Sequence, residues 1–284
     1  MTVKESMQLF RQELSPQFPT TEISSMAGII YDFLLGYKRH ELLLKGDHQL
    51  SLDHETQIYN IIKHLKQNKP LQYILGETEF YGLPLWVDES VLIPRPETEE
   101  LVEWVIGDHK NQAPRVLDMG TGSGCIPITL KKFLPQASVL AGDISVEALA
   151  TARKNADRNA VEVQFLTLDI LAPQHIDLGM FDIIISNPPY VTQNQKIGMS
   201  PNVVDYEPHV ALFVPENDPL LFYRAIAQFA AVSLNPFGNL YFEINEDLSD
   251  ETAMVVAAAG FQVEKKLDIH GKYRMLKATR HDKS

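Results

Sequence analysis

The stretch RVLDMGTGSG, Arg115 to Gly124, places a short apolar run directly before three glycines at alternate positions. Such a glycine-rich segment can turn sharply and lets a ligand approach its backbone N–H groups. The segment CIPITLKKFL follows at once and is typical of a helix. The stretch therefore predicts a strand, a tight turn and a helix, which is the repeating element of an α/β domain.

The same alternation of short apolar runs and helical segments continues to the end of the chain. The runs SVLAGD, VQFLTLD, FDIIISN and NLYFEI are separated by helical segments such as SVEALATARKNA. Two last strands, near residues 261–267 and 273–278, are expected to pair as an antiparallel hairpin at one edge. The pattern predicts a doubly wound, mostly parallel, seven-stranded sheet with helices on both faces.

In the front of the chain, apolar residues recur with a different period. Apolar residues recur at three- and four-residue intervals in 23–34 and again in 58–65, which predicts amphipathic helices. The second helix should end before Pro70, because a proline disfavours helical geometry in the residue before it. We expect a helical domain at 1–78, a β-hairpin linker at 79–96 that turns at "DES", and the α/β domain at 97–284.

Composition and charge exclude several classes of protein. The chain has 284 residues, one cysteine and a net charge of −12. It contains no leader-like segment and no apolar stretch near the roughly 20 residues of a membrane span, so a cytoplasmic location is expected. Residues 1–78 carry 8 Lys/Arg and 9 Asp/Glu, which leaves −11 for the remainder. That balance disfavours binding to nucleic acid, and the scattered histidines show no metal-ligand spacing.

The glycine turn and two acidic residues outline one nucleoside ligand. A dinucleotide fingerprint would need Gly or Ala where this chain has Cys125, which disfavours nicotinamide and flavin cofactors. Asp143 ends the second strand and could accept both hydrogen bonds of a ribose diol, or it could belong to the start of the next helix. Asp169 ends the third strand, which places it and Ile170 beside an adenine ring.

The segment DIIISNPPY, 182–190, predicts a buried strand that ends at Asn187. Pro188 holds Asn187 extended, and neither Pro188 nor Pro189 has an N–H, so the local polar groups are acceptors. Tyr190 adds an aromatic face. Two acceptors beside a flat ring suit a planar –NH₂ group that is presented to an electrophile.

These motifs resemble the class I S-adenosylmethionine-dependent methyltransferases and, more narrowly, the HemK/PrmC family of release factor glutamine N5-methyltransferases. The resemblance covers nearly the whole chain, and the segments that carry it are PLQYILGETEFYG, VLIPRPETEELVE, DMGTGSG, NPPY and YEPHVAL. The chain departs from the family after "VAL", where it has FVPENDPLLFY, and at Asn245, where the family tends to have glycine.

The resemblance implies a role for each matching residue. It assigns the methionine end of S-adenosylmethionine to the glycine turn, the ribose to Asp143, the adenine to Asp169 and Ile170, and the substrate amide to the NPPY segment. The implied cofactor residues are Gly120, Thr121, Gly122, Ser123, Gly124, Asp143, Asp169, Ile170 and Asn187. The implied substrate residues are Asn187, Pro188, Pro189 and Tyr190, of which Asn187, Pro188 and Tyr190 would be catalytic.

The implied reaction is methyl transfer to the glutamine of the Gly-Gly-Gln motif in peptide chain release factors, with S-adenosylhomocysteine as product. The helical front would dock that substrate, and no direct contact with nucleic acid or membrane is expected. Two alternatives remain open at this point. The enzyme could methylate a nucleobase amino group or another protein's glutamine, or the chain could be a non-catalytic scaffold for a translation factor.

Overall fold

The structure is a computed structural model that describes residues 1–173 and 178–280. It has two compact units, one formed by 1–76 with 200–206 and the other by 77–199 with 207–284. Residues 174–177 and 281–284 of the predicted α/β domain lie outside the described residues. In chain order the helices are α1 (Val3–Leu14), α2 (Thr20–Leu35), α3 (Glu41–Leu44), α4 (Leu52–Leu65), α5 (Leu71–Leu75), α6 (Pro96–Asp108), α7 (Cys125–Phe133), α8 (Val146–Arg158), α9 (Pro201–Tyr206), α10 (His209–Leu212), α11 (Leu221–Ser233) and α12 (Ser249–Ala258). The strands are β1 (Glu77–Phe80), β2 (Leu83–Trp86), β3 (Arg115–Met119), β4 (Ser138–Asp143), β5 (Gln164–Thr167), β6 (Phe181–Ser186), β7 (Leu234–Glu243), β8 (Phe261–Leu267) and β9 (Tyr273–Arg280).

The first unit is helical, as the sequence predicts for the front of the chain. A capping box starts α1, since the Thr2 side chain accepts from the N–H of Glu5 and the Glu5 side chain accepts from the N–H of Thr2. The apolar faces of α1, α2 and α4 share one core around Phe10, Tyr31 and Ile58, each at most 1% exposed. Helix α4 ends at Leu65, ahead of Pro70 as predicted.

The second unit contains the predicted seven-stranded sheet, in the order β5-β4-β3-β6-β7-β9-β8. The strands from β3 to β7 pair in parallel, and β9 runs antiparallel to both β7 and β8. Ile183, Ile184 and Ile185 of β6 are all fully buried, because helices cover both faces of the central strands. The chain leaves β3 towards β4 on one side and reaches β6 on the other, so the β3–β6 boundary is the switch point where such sheets bind ligands.

The β-hairpin forms, but its turn was predicted at the wrong residues. Strands β1 and β2 are joined by Tyr81 and Gly82, with φ values of 51° and 74°, the positive values that a two-residue hairpin turn with the twist of its strands requires. Asp88 forms a separate turn after β2 by accepting from the N–H of Ser90 at 2.9 Å. Within the second unit, the Asn155 side chain of α8 holds the hairpin through both backbone polar groups of Trp86, at 2.6 and 2.9 Å.

In the part of the chain that the structure describes, every helix is too short or too polar to span a bilayer.

Candidate active site

The glycine turn at the end of β3 brings backbone N–H groups to the switch point. Gly120, Gly122 and Gly124 have φ values of 82°, 54° and 80°, a region that side chains with a Cβ rarely adopt. At Gly124 a Cβ would also lie 3.0 Å from the Cβ of Ala152, so glycine lets α7 pack closely on α8. Gly124 therefore allows the close helix packing that fixes the turn, while Gly120 and Gly122 form the turn itself.

A cavity of about 300 Å³ lies at the carboxyl ends of β3, β4 and β6. It brings together most of the residues that the sequence assigned to a cofactor, whereas Gly124 is not among the described residues that line it. The predicted residues in its lining are Gly120, Thr121, Gly122, Ser123, Asp143, Asp169, Ile170, Asn187 and Pro189.

The two predicted acidic residues have defined orientations in this cavity. The Asp143 carboxylate accepts from the N–H of Gly122 at 2.8 Å and from the N–H of Ser145 at 2.9 Å. Because a carboxylate has about four acceptor positions, Asp143 retains capacity for a ligand diol. One oxygen of Asp169 accepts from the N–H of Leu171 at 2.8 Å, and this bond fixes the carboxylate at the end of β5.

A third acidic residue, Asp118 of β3, was not predicted to belong to the site. Its side chain is fully buried, and neither its oxygens nor the Thr121 hydroxyl has a hydrogen-bond partner among the described residues. Burial raises the pKa of Asp118 to about 7; the nearby Thr121 hydroxyl opposes that shift and the charge of Asp143 adds to it. Asp118 does not itself line the cavity, but it lies two residues before Gly120, which does. A buried, unpaired carboxyl at this position is suited to interact with a cationic ligand group.

The NPPY segment lies where β6 ends and joins the large cavity to a smaller one of about 50 Å³. Asn187 lines both cavities, while Pro188 and Tyr190 line the smaller. The predicted acceptors and the aromatic ring are thus adjacent to the predicted cofactor residues. A group held in the smaller cavity would face a ligand in the larger one across Asn187.

A buried hydrogen-bond network that the sequence analysis did not identify lies behind Asn187. The Asn187 Nδ2 donates to Thr98 Oγ1 at 3.2 Å, and the Thr98 hydroxyl donates to Glu243 Oε2 at 2.5 Å. The Tyr190 hydroxyl donates to the other Glu243 oxygen at 3.0 Å. Burial raises the pKa of Glu243, and the hydrogen bonds from Thr98 and Tyr190 oppose this shift, as does the positive charge of Arg274.

An ion pair holds the wall of both cavities. Arg95 lines the two cavities and donates to Glu207 at 2.7 Å, and the N–H of Ile93 donates to the other Glu207 oxygen at 3.3 Å. The Glu207 side chain is 1% exposed. The pair joins the VLIPRPETEELVE and YEPHVAL segments. The first overlaps the predicted linker, but no side chain of either segment had been predicted to belong to the site.

Comparisons with known proteins match both units. A family model described as PrmC N-terminal domain matches residues 9–76, and one described as Methyltransferase small domain matches residues 100–204. A Flavobacterium psychrophilum protein named release factor glutamine methyltransferase is 46% identical over 282 residues, with 98% of this chain and 99% of that protein covered. A Bacteroides thetaiotaomicron protein of the same name is 43% identical over 271 residues, with 95% and 97% covered.

Among solved structures, a methyltransferase from Pyrococcus furiosus matches with a TM-score of 0.55. It is 18% identical in sequence, and the match covers 81% of this chain and 99% of that chain. At this identity the match concerns the fold alone. It agrees with the seven-stranded, mostly parallel sheet described above.

Proposed function

The chain belongs to the family of release factor glutamine methyltransferases, and from that premise we propose that it methylates the side-chain amide nitrogen (N5) of the glutamine in the Gly-Gly-Gln motif of peptide chain release factors. The observation that carries the proposal is the position of Asn187 between the two cavities. An amide bound at Asn187 and Pro188 would lie next to a ligand in the larger cavity. The substrate is a translation factor, which supports a cytoplasmic reaction.

We propose S-adenosylmethionine as the methyl donor, and the residues of the larger cavity fit it. The unpaired Asp118 carboxyl suits the positive charge of its methionine end, beside Gly120 to Ser123. Asp143 would accept from the ribose, and Asp169 with Ile170 would contact the adenine. Gly124 would support the turn without touching the ligand. When bound, the cofactor supplies an electrophilic methyl group.

The residues of the NPPY segment would orient the glutamine. The Asn187 Oδ1 and the Pro188 carbonyl accept one N–H each, and the Tyr190 ring covers one face of the amide. An amide nitrogen is a poor nucleophile, so the alignment of nitrogen and methyl carbon matters most, and such orientation can contribute about 7–11 kcal/mol. The two acceptors also stabilise the positive charge that develops on nitrogen.

Proton transfer does not need a strong base in this arrangement. The nitrogen becomes acidic as it gains the methyl group, so its proton can leave afterwards. Buried Glu243, linked to Asn187 through Thr98, would in its ionised form add negative charge behind the acceptors. That charge favours the cationic transition state over the neutral amide.

The helical unit is proposed to dock the release factor. Ile29 and Phe33 lie one turn apart on α2 and are 51% and 45% exposed. Leu43 and Leu44 of α3 are more than 80% exposed, at 86% and 84%. These apolar side chains of the first unit are available to a protein partner.

The proposed function is tested with full-length release factors and labelled S-adenosylmethionine. A factor carrying Gly-Gly-Gln should accept the methyl group, and matched factors with Glu, Asn or Ala at the glutamine should not. Glutamate has no N–H for the two acceptors, and asparagine is one methylene too short to reach the aligned position. The proposal would be refuted if the release factor acquired no label while adenine or guanine in nucleic acid, or the glutamine of another protein, did. The labelled molecule would then be the substrate.

A further inference from the structure

In the hydrogen bonds behind Asn187, the chemistry of the side chains determines which group donates and which accepts. Both oxygens of Glu243 accept hydroxyl hydrogens, one from Thr98 and one from Tyr190. A hydroxyl has a single hydrogen, so once Thr98 donates to Glu243 its oxygen can only accept. Asn187 must then present its –NH₂ to Thr98 and direct its Oδ1 away from it.

The register of the sheet explains why these groups meet. Ser186 of β6 pairs with Phe242 of the parallel strand β7. One residue further, Asn187 and Glu243 reach the same level of the sheet. Thr98 lies in the first turn of α6 and is 2% exposed, and Glu243 is 1% exposed. The Thr98–Glu243 end of the network is therefore shielded from water, which could otherwise satisfy either orientation of the Asn187 amide at that end.

The opposite orientation of Asn187 is disfavoured in this environment. A 180° rotation of the amide would bring Oδ1 against Thr98 Oγ1, whose hydrogen is already used, and both acceptors would be unpaired. A buried polar group left unpaired costs enough to favour the observed orientation by roughly tenfold or more. The rotation would also present an N–H donor to the substrate in place of an acceptor.

We propose that Thr98 and Glu243 are positioning residues that fix the amide orientation of Asn187 and thereby make the site select glutamine over glutamate. The inference rests on the proposed function, because it concerns the side chain that enters the smaller cavity. A glutamine donates N–H to the Asn187 Oδ1, whereas an ionised glutamate only accepts. With Asn187 free to rotate, its –NH₂ would bind the glutamate carboxylate and the selectivity would fall.

The test compares Thr98→Val, which removes the hydroxyl at nearly constant shape, with Thr98→Ser, which keeps it. Binding of release factors carrying Gly-Gly-Gln or Gly-Gly-Glu is measured by calorimetry on enzyme saturated with S-adenosylhomocysteine. The Val variant should lose about tenfold in the ratio of glutamine to glutamate affinity, and its kcat should fall. The Ser variant should stay close to the wild type.

Thr252→Val is the matched control. Thr252 is also fully buried, and its hydroxyl donates to the Leu248 carbonyl within the region of α12, at 2.7 Å. Loss of that hydroxyl should lower stability and leave the affinity ratio unchanged. A general effect of a buried Thr→Val change would instead shift the ratio in both variants, and that result would overturn the proposal.

Glu243→Gln provides a second, independent variant if Thr98→Val does not fold. A glutamine here can donate to Thr98, which releases the Thr98 hydrogen for the Asn187 Oδ1 and favours the rotated amide. The glutamine-to-glutamate affinity ratio should therefore fall again. An unchanged ratio in folded Thr98→Val or in folded Glu243→Gln would overturn the inference. Failure of the wild-type enzyme to methylate the Gly-Gly-Gln factor would instead refute the proposed function itself.

Discussion

In the ligand-free protein, the stability of Asp118→Asn relative to that of the wild type should increase as pH rises. Burial raises the Asp118 pKa from 3.8 to about 7, so the folded state favours the protonated carboxyl. The stability that this group contributes is fully present below pH 3.8 and is lost as pH rises through about 7. Asparagine does not titrate, so the Asn variant should not lose stability in this way.

The size of the effect follows from the pKa shift. A shift from 3.8 to about 7 corresponds to roughly 4 kcal/mol over the whole titration, at 1.36 kcal/mol for each pH unit. Between pH 5.5 and pH 8 about 2 kcal/mol of that is lost by the wild type alone. In a chain of this length the melting temperature changes by about 2–4 °C per kcal/mol, which gives a relative shift of roughly 4–8 °C.

Thermal unfolding of both proteins at several pH values between 5.5 and 8 measures this shift. The melting temperature of the Asn variant minus that of the wild type should increase steadily with pH. Any constant difference reflects the fit of an amide in the same space and cancels in the comparison. If the difference in melting temperature does not change over this range, the pKa of Asp118 is not raised by burial. Such a result would contradict a role for Asp118 in binding a cation.

The affinity for ligands should also depend on the protonation state of Asp118. S-adenosylmethionine and S-adenosylhomocysteine both carry an ammonium group, which would favour the ionised carboxyl and lower its pKa. Their affinity for the wild type should therefore increase as pH rises from 5.5 to 7, and that dependence should be weak in Asp118→Asn. Methylthioadenosine lacks the ammonium group and should show little pH dependence with either protein. Equal pH dependence for all three ligands would place the methionine end away from Asp118.

Three further predictions concern other parts of the protein. Tyr190→Phe should lower the melting temperature and kcat, because the loss of the hydroxyl leaves a buried Glu243 oxygen unpaired at a cost of about 1–3 kcal/mol. If this variant had wild-type stability and turnover, only the aromatic ring of Tyr190 would matter. Arg95→Ala should cost about 3 kcal/mol or more in urea unfolding, since it leaves the buried Glu207 carboxylate without its cation, and an unchanged midpoint would contradict this. Phe33→Ala should raise KM for a full-length release factor and leave KM for a short Gly-Gly-Gln peptide unchanged, whereas equal effects on both substrates would exclude a docking role for α2.

The sequence predicted those features of the fold that local patterns encode. Strands with continuous apolar runs, the glycine turn after β3 and the edge hairpin all follow from residues that are neighbours in the chain. The hairpin turn between β1 and β2 was misplaced because Tyr81 has a positive φ, which is uncommon for a residue with a large side chain. The packed strand pair imposes that conformation, and no local signal in "FYGL" competes with the stronger turn pattern of "DES".

The hydrogen-bond network that the sequence analysis missed depends on partners far apart in the chain. Glu243 was visible as a carboxylate at the end of a mostly apolar run, where burial without a partner is costly and a function is therefore expected. Its partners could not be identified, because strand order decides which strand ends meet. Once β6 and β7 are known to be adjacent, Glu243 has to lie beside Asn187, and only then does Thr98, 145 residues from Glu243, become part of the site.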